Sequence, residues 1–210
     1  MSILIPILIS STPALIALTY ISRRSLKLWL TALVGGGGWL IALLLRQPLL
    51  LLLMGLGNLY PYIASFLAGL FEEGFRLTLL RIKFIRELSR KGAVSLGLGW
   101  GFSEALNIYA IPVYFTSIMV GYNWVDLLPG AIERNSAVLL HVSLSILLSV
   151  NPNDIRLLIA SILTHTLVNI VGILSLMMLR DVWLVEAIIA LTVLSVYLSI
   201  MLTVAKSKHK

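Results

Sequence analysis

Seven apolar segments run along the 210-residue chain, and their lengths constrain the fold more than any other feature. A helix that crosses a bilayer needs about 20 mostly apolar residues, whereas a buried strand needs far fewer. We therefore predict helical spans at about 2–20, 28–45, 49–80, 93–120, 131–150, 155–179 and 182–205. The third is too long for one perpendicular crossing, and we expect it to tilt or to bend near Asn58 and Pro61. The predicted fold class is an all-α polytopic membrane protein, a bundle of about seven transmembrane helices with a polar intramembrane cavity.

The composition agrees with a membrane protein of one domain. The chain is 59% hydrophobic and 12% charged, whereas about a quarter of the residues in soluble domains are charged. The longest loop, 121–130, is too short to fold alone, so residues 1–210 are predicted to form a single transmembrane domain. Residues 1–20 lack the basic start and the cleavage site of a secretory signal, which favours a first span there. The absence of cysteine excludes disulfides and thiolate metal sites.

Basic residues are distributed unevenly between the two sets of loops, and this predicts the orientation in the cell membrane. One side holds three of them: Arg46, Arg134 and Arg180. The other side holds twelve: Arg23, Arg24, Lys27, Arg81, Lys83, Arg86, Arg90, Lys91, Arg156, Lys206, Lys208 and Lys210, with His209 in the same basic tail. Since cytoplasmic loops are rich in Lys and Arg, the N-terminus is predicted outside and the C-terminus in the cytoplasm. Because these charges lie between apolar spans, membrane lipid is an expected partner and nucleic acid is not.

Seven polar or ionisable residues lie within the apolar segments, where an isolated charge is costly. They are Glu72, Glu73, Arg76, Glu104, His141, His165 and Asn169. A charged side chain at the bilayer centre costs at least ~2.5–3.5 kcal/mol. At 1.5 Å per residue, Glu72, Glu104 and the two histidines lie ~13–17 Å from the cytoplasmic ends of their spans. Four helices therefore contribute groups to one layer, and we expect these groups to face a common cavity.

Spacing along each helix predicts which of these groups share a face. Glu73 and Arg76 are three residues apart, whereas Glu72 and Arg76 are four apart, as are His165 and Asn169. An ion pair between Glu73 and Arg76 that only holds helices together is as well supported by this spacing as a catalytic role.

Other polar and glycine-rich positions are predicted to be structural. Gly35–Gly38 allow the close approach of a neighbouring helix. Trp39 and Trp100 lie deep in their spans and are predicted to be packing residues. Three charged residues near the outer ends of spans are predicted to be interfacial anchors: Glu133, Arg134 and Glu186.

The layer of polar groups supports more than one chemistry. A carboxylate with histidines activates water directly or through a metal, and Glu72, Glu104, His141 and His165 are ligand types that zinc takes. Asparagine and histidine N–H groups donate hydrogen bonds to an oxyanion. A proton- or ion-coupled transporter also uses carboxylates and histidines, although such proteins more often have two symmetric halves. A non-catalytic scaffold needs the same groups only to lock helices together.

Four motifs, in this order, resemble a known superfamily. They are Phe71-Glu72-Glu73-Gly74-Phe75-Arg76, then Gly97-Leu98-Gly99-Trp100-Gly101-Phe102-Ser103-Glu104, then Glu133-Arg134 with His141, then His165 with Asn169. In order and spacing they resemble the type II CAAX-prenyl protease superfamily, most of all its YhfC-like and PrsW-like branches. The seven-span layout is also similar to the APH subunit of gamma-secretase, a non-catalytic relative. The resemblance covers roughly residues 69–173 and implies a protease-like core at about 49–179.

The resemblance implies a role for each matched residue. Glu72 would be the water-activating base, and Glu73 and Arg76 would support it. His165 and Asn169 match the motif thought to stabilise the oxyanion.

Two further positions of the motifs also matter. Glu104 stands where CAAX proteases have a histidine and PrsW-like members a glutamate, and His141 matches the histidine of the preceding helix. Trp100 departs from the pattern, because YhfC-like sequences usually have histidine there. The function implied is an intramembrane endopeptidase that hydrolyses a membrane-associated peptide or protein near the cytoplasmic side, with zinc as the metal if one takes part. The alternatives are an APH-like scaffold and a small transporter.

Overall fold

The computed structural model describes residues 3–207, and these form a helical bundle without strands. Helix accounts for 91% of the structure. Within the described range the α-helices are α1 (Leu4–Ser22), α2 (Leu26–Leu53), α3 (Tyr60–Leu80), α4 (Lys83–Arg86), α5 (Ser89–Glu104), α6 (Ile111–Val120), α7 (Leu128–Val150), α8 (Ile155–Met178) and α9 (Val182–Ser207). Short 3-10 or π-helical segments connect some of them: Met54–Leu59, Ala105–Ala110 and Trp124–Leu127. Lys208, His209 and Lys210 of the predicted basic tail lie outside the described residues.

Five helical stretches among residues 3–207 are long and apolar enough to cross a membrane, and the all-helical part of the prediction is confirmed. They are Leu4–Ser22, Leu26–Leu80, Trp124–Val150, Ile155–Met178 and Val182–Lys206. The second covers 55 residues and contains both α2 and α3. The predicted span at 93–120 corresponds to α5, the π-helical segment and α6, which follow one another without a loop and are not among these five.

The boundary predicted between the second and third spans is wrong. Helix α2 continues through Arg46 and Pro48. The chain turns instead at Met54–Leu59, where Gly57 has a φ of 54°, a left-handed conformation that glycine adopts at little cost. The bend expected near Asn58 is therefore present. Arg46 belongs to a helix rather than to an outer loop, and its side chain lies within the bundle.

Helix α5 lies between α2 and α7 and approaches both of them closely. A Cβ atom on Gly99 would lie 1.9 Å from the carbonyl oxygen of Ala32, and one on Gly35 would lie 2.2 Å from that of Leu96. On the other side, a Cβ on Gly97 would lie 2.7 Å from the α7 backbone. Backbones this close leave no room for a side chain, so the packing predicted for the glycines of α2 is confirmed at Gly35.

Two buried tryptophans fill the space between α2, α3 and α5. Trp39 and Trp100 are 1% and 0% exposed, and they share one apolar cluster with Leu96 and Leu148. Their predicted packing role is confirmed. This arrangement places the indole of Trp100 beside α3, the helix that carries three of the predicted site residues.

Candidate functional site

Four helices bring the predicted site residues together in the interior of the bundle. The residues are Glu72, Glu73 and Arg76 on α3, Glu104 at the end of α5, His141 on α7, and His165 and Asn169 on α8. Helix α3 packs against α2, α7 and α8, and α5 packs against α7. Glu104 and Asn169 are partly exposed and the other five are buried.

Arg76 is the centre of the buried network. Its Nη1 donates to both carboxylate oxygens of Glu73, at 2.7 and 2.6 Å, and its Nη2 donates to Nδ1 of His141 at 2.7 Å. Its guanidinium carbon also lies 4.6 Å from the ring centroid of Trp100. The ion pair between Glu73 and Arg76 that the spacing indicates is present. Because a guanidinium only donates, Nδ1 of His141 is the acceptor and carries no proton.

The network continues from His141 toward one end of the bundle. Nε2 of His141 lies 2.5 Å from Oε2 of Glu104, and Nη1 of Arg134 donates to Oε1 of Glu104 at 2.8 Å. Arg134 also pairs with Glu133. The prediction that Arg134 is only an interfacial anchor is therefore wrong. It lies seven residues before His141, two helical turns away on the same face of α7, and so it reaches the same carboxylate.

Glu72 has partners on two other helices. Its Oε1 accepts from Nη1 of Arg46 at 2.7 Å, and its Oε2 accepts from Nε1 of Trp100 at 3.0 Å. Arg76 lies four residues after Glu72 in the same helix, but it donates to Glu73 instead. Besides its packing, Trp100 thus donates to a carboxylate oxygen of Glu72, at the position where YhfC-like sequences usually have histidine.

His165 and Asn169 occupy one side of α8. Nδ1 of His165 lies 2.7 Å from Oε1 of Glu73, so this nitrogen carries the proton and donates to the carboxylate. The ring centroids of His165 and His141 are 5.5 Å apart. Asn169 makes no hydrogen bond within residues 3–207. Its amide is therefore available to a ligand.

A cleft of about 530 Å³ opens where α3, α7 and α9 begin and α2 and α8 end. Its polar lining residues are Arg46, Ser65, Glu133, Arg134, Asn169 and Glu186, and its walls are otherwise apolar. Of the seven predicted site residues, only Asn169 lines this cleft. We expected these residues to face a common cavity. Instead they form a closed network of ion pairs and hydrogen bonds, and the cleft lies beside this network. In the orientation predicted from the loop charges this end would face outward, opposite to the side on which hydrolysis was expected.

Three buried side chains offer ligand atoms of the types that zinc takes. One ligand atom from each of Glu72, His141 and His165 lies within 4.8 Å of the other two. However, both ring nitrogens of His141 are engaged, by Arg76 and Glu104. These hydrogen bonds do not fit a histidine ligand, because a metal would have to displace one of them. Zinc stays a prediction that metal analysis of the purified protein tests.

Sequence reasoning missed three members of this network: Arg46, Trp100 and Arg134. Apolar residues precede Arg46 and resume at Leu49, after two intervening residues, which is compatible with a helix that continues through Arg46. Trp100 precedes Glu104 by four residues, and Arg134 precedes His141 by seven. Each spacing places a residue on the face of its helix that carries a predicted site residue.

Comparison of the chain with models of protein families gives no match. A search of curated proteins also gives no match. The resemblance to the type II CAAX-prenyl protease superfamily rests on the motifs and stays a prediction.

Proposed function

We propose that the chain is a multi-pass protein of the cell membrane and an intramembrane endopeptidase similar to the type II CAAX-prenyl proteases. The apolar helices support membrane embedding, and the loop charges favour an outer N-terminus and a cytoplasmic C-terminus. The observation that carries the activity is the approach of Glu72 to His141 and His165, whose ligand atoms lie within 4.8 Å of one another. The substrate is a membrane-associated peptide or protein.

Glu72 activates the water. A carboxylate has about four lone-pair sites, and Arg46 and Trp100 occupy two of those on Glu72. The gap of up to 4.8 Å between this carboxylate and the imidazole of His165 has room for one bridging water, since each hydrogen bond of a water is ~2.8 Å long. Glu72 takes a proton from this water as the oxygen attacks the peptide carbonyl carbon, and it returns the proton to the leaving amine.

His165 and Asn169 stabilise the oxyanion. They are four residues apart on α8, so their side chains point to the same region. Glu73 holds Nδ1 of His165 and stabilises the imidazolium, whose Nε2–H then donates to the oxyanion. Arg76 is a positioning residue, because it holds Glu73 by two hydrogen bonds and does not face the cleft.

The substrate reaches the site through the cleft. Arg46 lines the cleft and donates to Glu72, so it lies between the two. The apolar lining residues suit the apolar side chains of an extended peptide, and the polar lining residues suit its backbone carbonyl groups. The bond that is hydrolysed therefore lies nearer to the outer end of the bundle than the sequence indicates.

The test compares Glu72→Gln with Glu87→Gln in lipid nanodiscs. Glutamine keeps the size and hydrogen bonding of Glu72 but takes no proton, so hydrolysis of a library of membrane-anchored peptides should fall ~10²–10⁴-fold. Glu87 is exposed and forms no ion pair within residues 3–207, so its variant should keep full activity. Mass spectrometry identifies the products. Full activity of Glu72→Gln would end this mechanism.

Two further measurements test the oxyanion donor and the participation of a metal. Asn169→Ala should lower the rate ~10²–10³-fold without a change in unfolding temperature, because it removes an oxyanion donor. Activity should be insensitive to chelator. Loss of activity with chelator, restored by zinc, would instead mean that His141 exchanges Glu104 for a metal.

A non-catalytic scaffold is the second candidate, and one observation favours it. Glu73, Arg76 and His141 are at most 1% exposed and are all bonded to one another or to neighbouring charges. A closed network of this kind specifies helix packing. On this reading the Glu72→Gln variant lowers stability or partner assembly, and the wild-type protein cleaves no peptide of the library.

A further inference from the structure

Two adjoining depressions lie at the end of the bundle opposite to the cleft described above. The first, the basic cleft, has a volume of about 530 Å³ and is lined by Tyr20, Ile21, Arg23, Arg90, Lys91 and Val94. The second, the apolar groove, has a volume of about 430 Å³ and lies between α1, α5, α7 and α9. The two share Ile21, Arg90 and Val94. They therefore form one continuous depression with a basic end and an apolar end.

The cations of the basic cleft are not neutralised by carboxylates. Arg23, Arg90 and Lys91 form no salt bridge with any described acidic residue. The guanidinium of Arg23 lies 4.4 Å from the ring centroid of Tyr20, and Nη2 of Arg90 contacts Sδ of Met201. Neither contact supplies a negative charge. Three cations thus converge without a counterion from the described residues.

The apolar groove follows the direction of the helices. Along α1 it extends from Ile21 to Pro13, which corresponds to ~12 Å. Its lining is mostly apolar, with Arg90, Asn135 and Tyr197 as the exceptions. A groove parallel to the helices with cations at one end matches a phospholipid, in which an anionic phosphate lies at the membrane surface and an acyl chain extends into the bilayer.

We propose that this depression binds one anionic phospholipid. Its phosphate contacts Arg23, Arg90 and Lys91, and one acyl chain lies in the apolar groove. The proposal rests on the membrane embedding proposed above but not on catalysis. The basic end is on the side with the greater loop charge, where the cytoplasmic leaflet supplies anionic lipid.

A second set of three cations distinguishes a bound lipid from a general attraction of the basic loops to the membrane. Arg24, Lys83 and Arg86 are exposed at the same end of the bundle, yet they line neither depression. They provide a control set with the same number of cations. A general attraction depends on both sets equally, whereas a bound lipid depends on the lining set alone.

Native mass spectrometry of the full chain in detergent tests the proposal, with phosphatidylglycerol and phosphatidylcholine as probes. The wild-type protein should retain one phosphatidylglycerol in preference to phosphatidylcholine. The variant Arg23→Gln/Arg90→Gln/Lys91→Gln should bind phosphatidylglycerol about 100-fold more weakly, since each cation near an anionic surface contributes roughly a factor of five. The variant Arg24→Gln/Lys83→Gln/Arg86→Gln should stay within about twofold of wild type. Equal losses in both variants would overturn the proposal.

A second pair of variants tests the groove. Ala17→Leu fills the apolar groove, which Ala17 lines, whereas Ala160→Leu adds the same atoms at an exposed position of α8. Only Ala17→Leu should weaken phosphatidylglycerol binding, and inorganic phosphate should not compete. Competition by phosphate together with normal binding by Ala17→Leu would mean a soluble-phosphate site and would refute the lipid.

Two measurements keep the result independent of folding and of catalysis. Tryptophan fluorescence during heating should show the same unfolding temperature for each variant without added lipid. If the triple variant unfolds early, Arg90→Gln alone replaces it, with Arg86→Gln as its control. Glu72→Gln should bind phosphatidylglycerol like wild type, so failure of the proposed proteolysis leaves the lipid result unaffected.

Discussion

Replacement of Arg76 by methionine should destabilise the protein more than any change of an exposed charge. The side chain of Arg76 is fully buried, pairs with Glu73 through two hydrogen bonds and donates to His141. Methionine fills a similar volume without charge or donor. The change leaves Glu73 without its cation and Nδ1 of His141 without its donor.

The magnitude follows from these lost contacts. Removal of one partner of a buried ion pair costs about 3–5 kcal/mol, and an unmet buried acceptor costs about 1–3 kcal/mol. His165 already contacts Glu73 and offsets part of the loss by taking up a proton. We therefore expect the free energy of unfolding to fall by about 4 kcal/mol, most of it from the ion pair. Arg76→Lys keeps the charge but has a single nitrogen where Arg76 uses Nη1 for Glu73 and Nη2 for His141, and it should lose about half as much.

The assay is reversible unfolding by dodecyl sulfate in mixed micelles, followed by far-ultraviolet circular dichroism. Arg24→Met, which removes an exposed arginine, is the control and should change the free energy of unfolding by less than about 0.5 kcal/mol. The double variant Glu73→Gln/Arg76→Met should lose at least about 1.5 kcal/mol less than the sum of its single variants, since both charges are absent. A loss below about 1 kcal/mol in Arg76→Met, or strict additivity, would refute the reasoning.

Two other predictions concern packing and orientation. Gly99→Ala should lower the free energy of unfolding by about 1–3 kcal/mol, because its Cβ would meet the α2 backbone. The control, Gly37→Ala, has open space around the new atom and should not destabilise the protein. Thermal unfolding followed by tryptophan fluorescence compares the two variants. In intact cells, a cysteine introduced by Ser89→Cys at the start of α5 should resist an impermeant thiol reagent, since the charge distribution predicts that this end of the bundle lies in the cytoplasm. Labelling from outside would overturn that orientation.

The sequence by itself determined the helices and the layer in which polar groups meet. Long apolar runs can satisfy their backbone groups only as helices in lipid, so the all-helical fold class follows from the composition along the chain. The depth of Glu72, Glu104, His141 and His165 follows from counting residues at a constant rise per residue. Helical spacing places Arg76 within reach of both Glu72 and Glu73, because all three residues belong to one helix.

Only the tertiary structure decided which partner each charge takes and where the site opens. Glu72 meets Arg46 and Trp100, and Glu104 meets Arg134, through contacts between different helices. Such pairs depend on the rotation and separation of the helices, and close backbone approach of the kind seen at Gly99 sets both. A periodic pattern indicates which face of a helix is polar, but it carries no information about the neighbour that faces it. The cleft is likewise formed by residues of several helices, so its position could not be inferred from the sequence, and it lies at the end of the bundle opposite to the one expected.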